Sequence, residues 1–306
     1  MRDSIQSIVD EVSRVLLGKE DKIKLSLACL LSDGHLLIED LPGMGKTTLA
    51  HALARVLGLS YQRVQFTSDM LPADIIGVPV YDQNKSQFEF HPGPVFTQLL
   101  LADEINRTTP KTQSALLEAM EEGQVTIEGQ TRPLPEPFFV IATQNPLSQM
   151  GTFPLPESQL DRFLMRISLG YPDAEAERRL FQGGDPRKLL QDLRICLRPE
   201  QLREVKAEAQ SVKTSDSLLS YLQRLVHYTR NAPDFSCGLS PRGALALLRA
   251  AKTWAYMHAR TYVIAEDIQM LLPSVVAHRV VSSTGASEAS EPALITKLLN
   301  DVDVMA

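Results

Sequence analysis

Residues 35–48 read His-Leu-Leu-Ile-Glu-Asp-Leu-Pro-Gly-Met-Gly-Lys-Thr-Thr, an apolar strand that runs into a glycine-containing loop and the start of a helix. Gly43 and Gly45 allow backbone N–H groups to close around a β-phosphate. Lys46 can reach the β- and γ-phosphate oxygens, and the Thr47 hydroxyl can bind Mg²⁺. The stretch therefore predicts a phosphate-binding loop, with the strand and the helix that such a loop requires on either side.

One position departs from the usual phosphate-loop pattern, G-x-x-x-x-G-K-[ST]. Asp40 stands where the first glycine is expected, and we expect Pro42 and Gly43 to set the turn instead. The alternative, a strand–turn–helix that contains Gly-Lys-Thr by chance, is disfavoured by the apolar strand before the loop and the helical pattern after it. The residues expected to contact the nucleotide are Gly18, Asp40, Pro42, Gly43, Met44, Gly45, Lys46, Thr47 and Thr48.

Length and composition indicate an ordinary globular protein. A chain of 306 residues can bury a sizeable core and divides naturally into one larger and one smaller domain. The net charge of −6 gives no support to a surface that coats nucleic acid. Three widely separated cysteines without metal-ligand spacing are typical of reduced thiols, and no signal peptide or membrane span of ~20 apolar residues is evident. We expect a cytoplasmic protein.

Strands alternate with helices as far as Gly170, whereas only helical patterns recur beyond it. The alternation predicts an α/β fold: a doubly wound, parallel, five-stranded sheet with helices on both faces and ligands at the carboxyl ends of the strands. Residues 1–170 would form this core, with inserts at about 67–92 and 124–135, and residues 171–306 a smaller, all-helical lid domain. The strands are expected at 36–38, 61–66, 97–102, 138–143 and 164–169.

Polar side chains that can take part in catalysis lie at or just after the ends of three of these strands. Asp103 and Glu104 follow an apolar strand, where one carboxylate can order Mg²⁺ and the other can polarise an attacking water; two solvated acids are the alternative. Asn145 follows the next strand and can orient that water, or it is merely a turn residue. Gln65 can hold Glu104 inactive in a ligand-dependent switch, although the local sequence favours a core or edge amide.

With these motifs in place, the chain resembles AAA+ ATPases, and specifically the MoxR family. The resemblance spans most of residues 1–275. Asp-Glu-Ile-Asn-Arg followed by Leu-Leu-Glu-Ala-Met-Glu-Glu is more specific to this family than the phosphate loop, which many nucleotide hydrolases share. The stretches that carry the resemblance are 39–47, 101–107, 115–123, 142–146 and 159–163.

The resemblance implies roles for individual residues of the core. Lys46 and Thr47 match the Walker A motif, and Asp103 and Glu104 match the Walker B motif. Asn145 matches the position called sensor 1. ATP and Mg²⁺ are the implied substrate and cofactor, with Thr47 and Asp103 as the residues expected to hold the metal.

Two arginines complete the implied site. Arg162 falls where such proteins place an arginine finger that enters the neighbouring subunit's site, and Arg242 matches sensor 2 in the lid, where we expect it to report the bound nucleotide. Each also has a simpler interpretation: Arg162 can pair with an acidic residue on its own helix face, and Arg242 can be a solvated first-turn residue. We favour function because a guanidinium stabilises γ-phosphate charge well. The rival candidates for the finger are Arg107 and Arg166.

The implied activity is Mg²⁺-dependent ATP hydrolysis in a ring, with a hexamer as the expected assembly, coupled to remodelling or maturation of a client protein. The two inserts would face the central pore or the client, and a separate partner of von Willebrand A type is expected from the resemblance alone. Two alternatives remain open at this point. One is a nucleotide-gated adaptor with negligible turnover, and the other is a nucleic-acid motor, which the acidic charge disfavours.

Overall fold

The computed structural model describes residues 2–146, 151–183, 186–283 and 291–304. Up to residue 170 the chain alternates strands and helices, and a short 3-10 turn lies at Ile105–Arg107. The elements in order are α1 (Arg2–Ser13), α2 (Glu20–Leu31), β1 (His35–Glu39), α3 (Lys46–Val56), β2 (Tyr61–Gln65), α4 (Pro72–Ile76), β3 (Gly77–Asp82), β4 (Gln87–Pro92), β5 (Leu99–Asp103), α5 (Pro110–Glu122), β6 (Gln124–Ile127), β7 (Gln130–Pro133), β8 (Phe139–Gln144), α6 (Glu157–Leu160) and β9 (Phe163–Ile167).

Five of these strands form one sheet in the order β2-β5-β8-β1-β9, and all of its pairings are parallel. Alternate residues of each strand face opposite sides, as the pleat requires. Leu36 and Ile38 pack with α1, α2 and α3 on one side, whereas Leu37 packs with α5 on the other. Burial on both faces explains the apolar runs in β5 and β8 and confirms the predicted doubly wound fold.

The two inserts are antiparallel hairpins at the predicted places, β3 with β4 and β6 with β7. They lie against each other through a cation–π contact in which the Arg132 guanidinium sits 4.1 Å from the centre of the Phe90 ring. Large apolar side chains remain exposed on the first hairpin, among them Tyr81 and Phe88. The inserts therefore project from the sheet as one connected unit.

Beyond residue 170 the described chain is helical, with one small addition to the expected all-helical lid: two short strands that pair antiparallel. No helix among the described residues has the length and apolar character needed to cross a bilayer. The boundary at 170/171 stays a prediction. The elements are α7 (Ala174–Gln182), α8 (Pro186–Gln191), α9 (Pro199–Gln210), α10 (Asp216–Asn231), β10 (Phe235–Cys237), α11 (Pro241–Met257), α12 (Ala265–Val275), β11 (Val281–Ser282) and α13 (Glu291–Asp301), with a 3-10 turn at Ala277–Arg279.

A buried arginine joins this helical part to the sheet. The Arg279 side chain is only 3% exposed and pairs with Asp161 at 2.7 Å. It also donates to the backbone carbonyls of Phe163 (2.6 Å), Leu164 (3.0 Å) and Val275. Burial lowers the pKa of Arg279 and the neighbouring Asp161 opposes that change. The turn that leads into β9 is thus fixed to the lid.

We predict that Arg279→Ala destabilises the protein by about 3 kcal/mol, because it leaves Asp161 and several carbonyls without their buried cation. Urea unfolding midpoints measure the effect. Arg179→Ala is the control, since its i,i+4 pair with Glu175 is exposed and should contribute less than ~0.5 kcal/mol. Equal midpoints for the two variants would contradict this assignment.

Candidate functional site

The loop between β1 and α3 has the backbone of an anion cradle. Gly43 and Gly45 have φ values of +85° and +93°, in the left-handed region that favours glycine. Gly45 is the N-cap of α3, no side chain caps that helix end, and its first turn carries no acidic residue. A Cβ on Gly45 would lie 2.8 Å from Leu16 Cδ1. The amino end of α3 is therefore left for an anion, as its dipole favours.

Lys46 stands in this cradle with its ammonium group already bonded. Its Nζ donates to the carbonyl of Asp40 at 2.7 Å and to that of Gln144 at 3.5 Å. Burial lowers the pKa of Lys46, and the nearby carboxylates of Asp103, Asp40 and Glu104 oppose this shift. These backbone contacts hold the cation beside the loop, where phosphate oxygens can replace the carbonyls.

The Asp40 side chain links the phosphate loop to the chain that follows β9. Its Oδ2 accepts hydrogen bonds from the backbone N–H groups of Leu169 (2.6 Å) and Gly170 (2.7 Å) and from the Ser168 hydroxyl (3.2 Å). The carboxylate therefore clamps the loop to the chain that follows β9, while a contact of Asp40 with the nucleotide stays a prediction. Asp40 also contacts the cradle itself, since its carbonyl accepts from Lys46 and its Oδ1 accepts from the Leu41 backbone N–H at 2.9 Å.

The other predicted nucleotide contacts stay predictions, but the structure gives their positions. Gly18 has φ +67°, and a Cβ there would lie 2.9 Å from the Cβ of Ala176 in α7. Pro42 is exposed in the loop, and Met44 packs partly against the main core. Thr48 is half-buried in the first turn of α3. Leu16 approaches Gly45, so segment 16–18 lies beside the phosphate loop.

The two acids predicted at the end of β5 are organised by the neighbouring strand β8. The Thr143 hydroxyl donates to Asp103 Oδ1 at 2.6 Å and accepts from the Glu104 backbone N–H at 2.9 Å. Glu104 itself has φ +57°, which is uncommon for a residue other than glycine. Asn145 directly follows β8, at the same edge of the sheet. Sequence reasoning missed Thr143, although its place near the end of a buried strand was visible.

A chain of polar contacts ties both acids to β2. Arg63 donates to Asp103 Oδ2 at 2.7 Å and to Gln65 Oε1 at 3.2 Å. Gln65 Nε2 in turn donates to Glu104 Oε2 at 2.8 Å, and Arg107 Nε pairs with the same oxygen at 3.0 Å. The favoured interpretation of Gln65 as a plain edge amide is thus incomplete, because the side chain holds Glu104. The β2–β5 register, which pairs Gln65 with Asp103, is what brings them together.

Arg162 and Arg242 lie at the opposite edge of the sheet. Arg162 immediately precedes β9, whose first residue pairs with the first residue of β1, whereas the phosphate loop follows the end of β1. A five-residue strand, roughly 17 Å, separates the two edges. Arg162 Nε pairs with Glu121 Oε2 at 2.9 Å, and Arg242 Nη1 pairs with Glu121 Oε1 at 2.8 Å. The acidic partner of Arg162 is therefore not on its own helix face.

The role of Arg242 as sensor 2 stays a prediction. In this structure Arg242 lies beside Arg162, at the edge of the sheet away from the phosphate loop. The rival fingers are placed elsewhere: Arg107 pairs with Glu104, and Arg166, within β9, pairs with Glu39 at 3.1 Å and with Glu291. Of the three candidates, Arg162 is the one at the edge away from the phosphate loop, and which of them acts on a neighbouring chain stays a prediction.

The donor set suits a magnesium nucleotide. Within the described ranges no group of three or more His, Cys, Asp or Glu side chains is placed to hold a metal ion by itself. Mg²⁺ in nucleotide hydrolases uses one or two protein oxygens together with phosphates and water. Thr47, in the first turn of α3, and Asp103, at the end of β5, remain the expected ligands. Asp103 would have to share or exchange its contact with Arg63.

Fold and site define a nucleotide-binding protein of the phosphate-loop ATPase class. A family model described as "ATPase family associated with various cellular activities (AAA)" matches residues 35–165, and an AAA lid domain model matches residues 227–298.

Similar proteins narrow that class. Chaperone MoxR1 of Mycobacterium tuberculosis is 37% identical over 98% of this chain and 82% of its own, and protein MoxR of Methylorubrum extorquens is 31% identical over 91% and 88%. Protein YeaC of Bacillus subtilis is 47% identical over 89% and 85%. A crystal structure from Cytophaga hutchinsonii, assigned as an ATPase, superposes with a TM-score of 0.87 at 37% identity and covers 99% of this chain and 95% of its own. The chain belongs to the MoxR family of AAA+ ATPases.

We predict opposite behaviour for two variants of this site. Lys46→Ala should abolish ATP binding, because it removes the charge-assisted contacts to phosphate. Glu104→Gln should bind ATP with near-parental affinity yet turn it over at least ~100-fold more slowly, the scale of losing a general base. Fluorescent-nucleotide titration and phosphate release measure the two properties. Equal ATP affinity of the two variants, or normal turnover of Glu104→Gln, would contradict the assignments.

Proposed function

We propose that this ATPase works as a ring, with a hexamer as the expected assembly, whose complete active sites form between neighbouring chains and drive remodelling or maturation of a client protein. The observation that carries the proposal is the separation of Arg162 and Arg242 from the phosphate loop of their own chain. Neither arginine stands beside its own Lys46, whereas a neighbouring chain can present its loop to them.

Within one chain, the residues of the carboxyl edge would bind the substrate. Lys46 and the uncapped first turn of α3 would hold the β- and γ-phosphates of ATP. Thr47 and Asp103 would hold Mg²⁺, which when bound screens phosphate charge. Glu104 would accept a proton from the attacking water, and Asn145 would orient that water. The neighbour's guanidinium groups would then stabilise the charge that develops on the transferred phosphoryl group.

The contacts of Glu104 support a gated cycle. Its carboxylate is paired with Gln65 and Arg107. A carboxylate oxygen that accepts from two donors is less available to hold an attacking water. Release of Glu104 from Gln65 when nucleotide binds would therefore switch hydrolysis on, and β2 would carry that signal.

That the ATPase acts on a client protein is a proposal, and two observations support it. One relative is named a chaperone, and the paired hairpins expose apolar side chains such as Tyr81 and Phe88. A surface of this kind suits transient contact with apolar segments of another protein. A separate partner of von Willebrand A type stays an expectation, as does a cytoplasmic location. Neither the adaptor nor the nucleic-acid motor gains support from the site, because Glu104 is intact and the chain is acidic.

Mixing two inactive variants tests the shared site. A ring of Arg162→Ala chains lacks the finger, and a ring of Glu104→Gln chains lacks the base. In a mixed ring, an Arg162→Ala chain keeps Glu104 and receives Arg162 from a Glu104→Gln neighbour. We expect each variant alone to lose turnover, by ~10³-fold for Arg162→Ala, and the mixture to recover part of it. Phosphate release during titration of one variant with the other is the measurement.

Native mass spectrometry of the mixture provides the control, since it shows whether mixed rings form. Mixed rings without recovered turnover would exclude Arg162 as the residue that acts on the neighbour. Lys46→Ala mixed with Glu104→Gln should stay inactive. Lys46 and Glu104 serve the nucleotide of their own chain, and neither variant carries both of them.

The same mixing experiment tests whether Arg242 acts on the nucleotide of its own chain or on that of a neighbour. If Arg242 serves the neighbouring site, Arg242→Ala should recover turnover when mixed with Glu104→Gln. If it serves its own chain, no recovery is possible, since the chains that retain Glu104 lack Arg242 and the others lack the base. We expect recovery, because Arg242 and Arg162 lie on one carboxylate at the same edge.

A further inference from the structure

Glu121 is an acidic residue in an unfavourable place. It lies in the last turn of α5, which ends at Glu122 and carries no basic residue there. The carboxyl end of a helix dipole is negative, so an acid at this position is unfavourable for the helix. Glu121 is therefore not explained by the stability of its own helix.

Its two oxygens are divided between two parts of the molecule. Oε2 pairs with Arg162, which precedes β9 in the core, and Oε1 pairs with Arg242, in the first turn of the lid helix α11. The three side chains share the wall of one cavity of about 200 Å³ with Arg249 and Arg279. One carboxylate thus fixes the spacing between an arginine of the core and an arginine of the lid.

The pairs are too exposed for a mainly structural purpose. Arg162, Glu121 and Arg242 side chains are 27%, 36% and 46% exposed. Ion pairs with this exposure contribute little to stability. They do restrict two long side chains that otherwise sample many rotamers. The main effect of these ion pairs is therefore to order the two arginine side chains rather than to stabilise the fold.

We propose that Glu121 is a positioning residue that holds Arg162 and Arg242 together as a single two-armed group for the neighbouring chain's nucleotide phosphates. This inference rests on the proposed action between chains. A guanidinium has five N–H donors, and the pairs recorded use Nε of Arg162 and one terminal nitrogen of Arg242. Two guanidinium charges and one carboxylate leave one net positive charge, so the group still attracts phosphate. Arms ordered in advance lose less entropy when the site closes.

Glu121→Gln tests the proposal, because it keeps the size of the side chain and removes its charge. We expect unchanged ATP affinity, since the phosphate loop lies at the other edge of the sheet, and turnover at saturating ATP and protein reduced ~10- to 100-fold, the scale of a misplaced catalytic group. Glu122→Gln is the matched control, as it removes the same charge from the same exposed turn. Glu121→Asp, which keeps the charge on a shorter arm, should retain more activity than Glu121→Gln.

Two further measurements separate positioning from simple structural damage. In the Arg162→Ala/Arg242→Ala background, Glu121→Gln should cause no additional loss, because there is nothing left to position. Glu121→Gln chains should also gain turnover when mixed with Glu104→Gln chains, whose arginines are properly held and whose arms serve the intact Glu104 of their neighbours. A damaged fold would not be repaired by mixing.

The outcomes keep the two proposals distinct. Recovery in the Arg162→Ala and Glu104→Gln mixture upholds the shared site by itself. With that established, turnover of Glu121→Gln equal to that of Glu122→Gln would overturn the role of Glu121. Turnover above the parent would overturn it as well, because Glu121 would then be competing with phosphate for the arginines.

Discussion

The parallel sheet gives this molecule two chemically different edges, and every functional assignment depends on that constraint. All five strands point the same way, so their carboxyl ends meet along one side and bring the phosphate loop, Asp103 and Asn145 together. Their amino ends meet along the other side, where Arg162 stands. A strand is rigid and cannot fold back on itself. Arg162 therefore cannot approach the phosphate loop of its own chain without breaking the sheet.

The clamp made by Asp40 shows how a departure from a motif can be explained once contacts are known. Sequence alone indicates an aspartate in place of a glycine and leaves its purpose open. The structure uses the carboxylate to accept two backbone N–H groups just after β9, which ties the loop to the chain that leads into the lid. A backbone donor left unbonded in a buried place would cost about 1–3 kcal/mol. Loop and linker are consequently one structural unit.

Patterns within short stretches of sequence were enough to predict those features that are formed by residues close together in the chain. The doubly wound sheet, both hairpins, Lys46 in its loop and the acids after β5 all follow from spacing within some ten residues. What sequence could not supply is contact between distant segments. Glu121 reaches Arg162 and Arg242 across 41 and 121 positions, and the position of Arg242 depends entirely on how the lid docks. The strands β10 and β11 are too short to produce a periodic signal.

Two kinds of ion pair join the sheet to the lid, and their burial suits them to different tasks. Arg279 is enclosed and bonded to several carbonyls, so parting it from Asp161 would leave a buried charge unsolvated. That joint should persist through the catalytic cycle. The pairs of Glu121 are open to water and contribute little to stability. The lid is therefore held to the sheet by Arg279, while Glu121 keeps the two outer arginines in place, as their proposed action on a neighbouring phosphate requires.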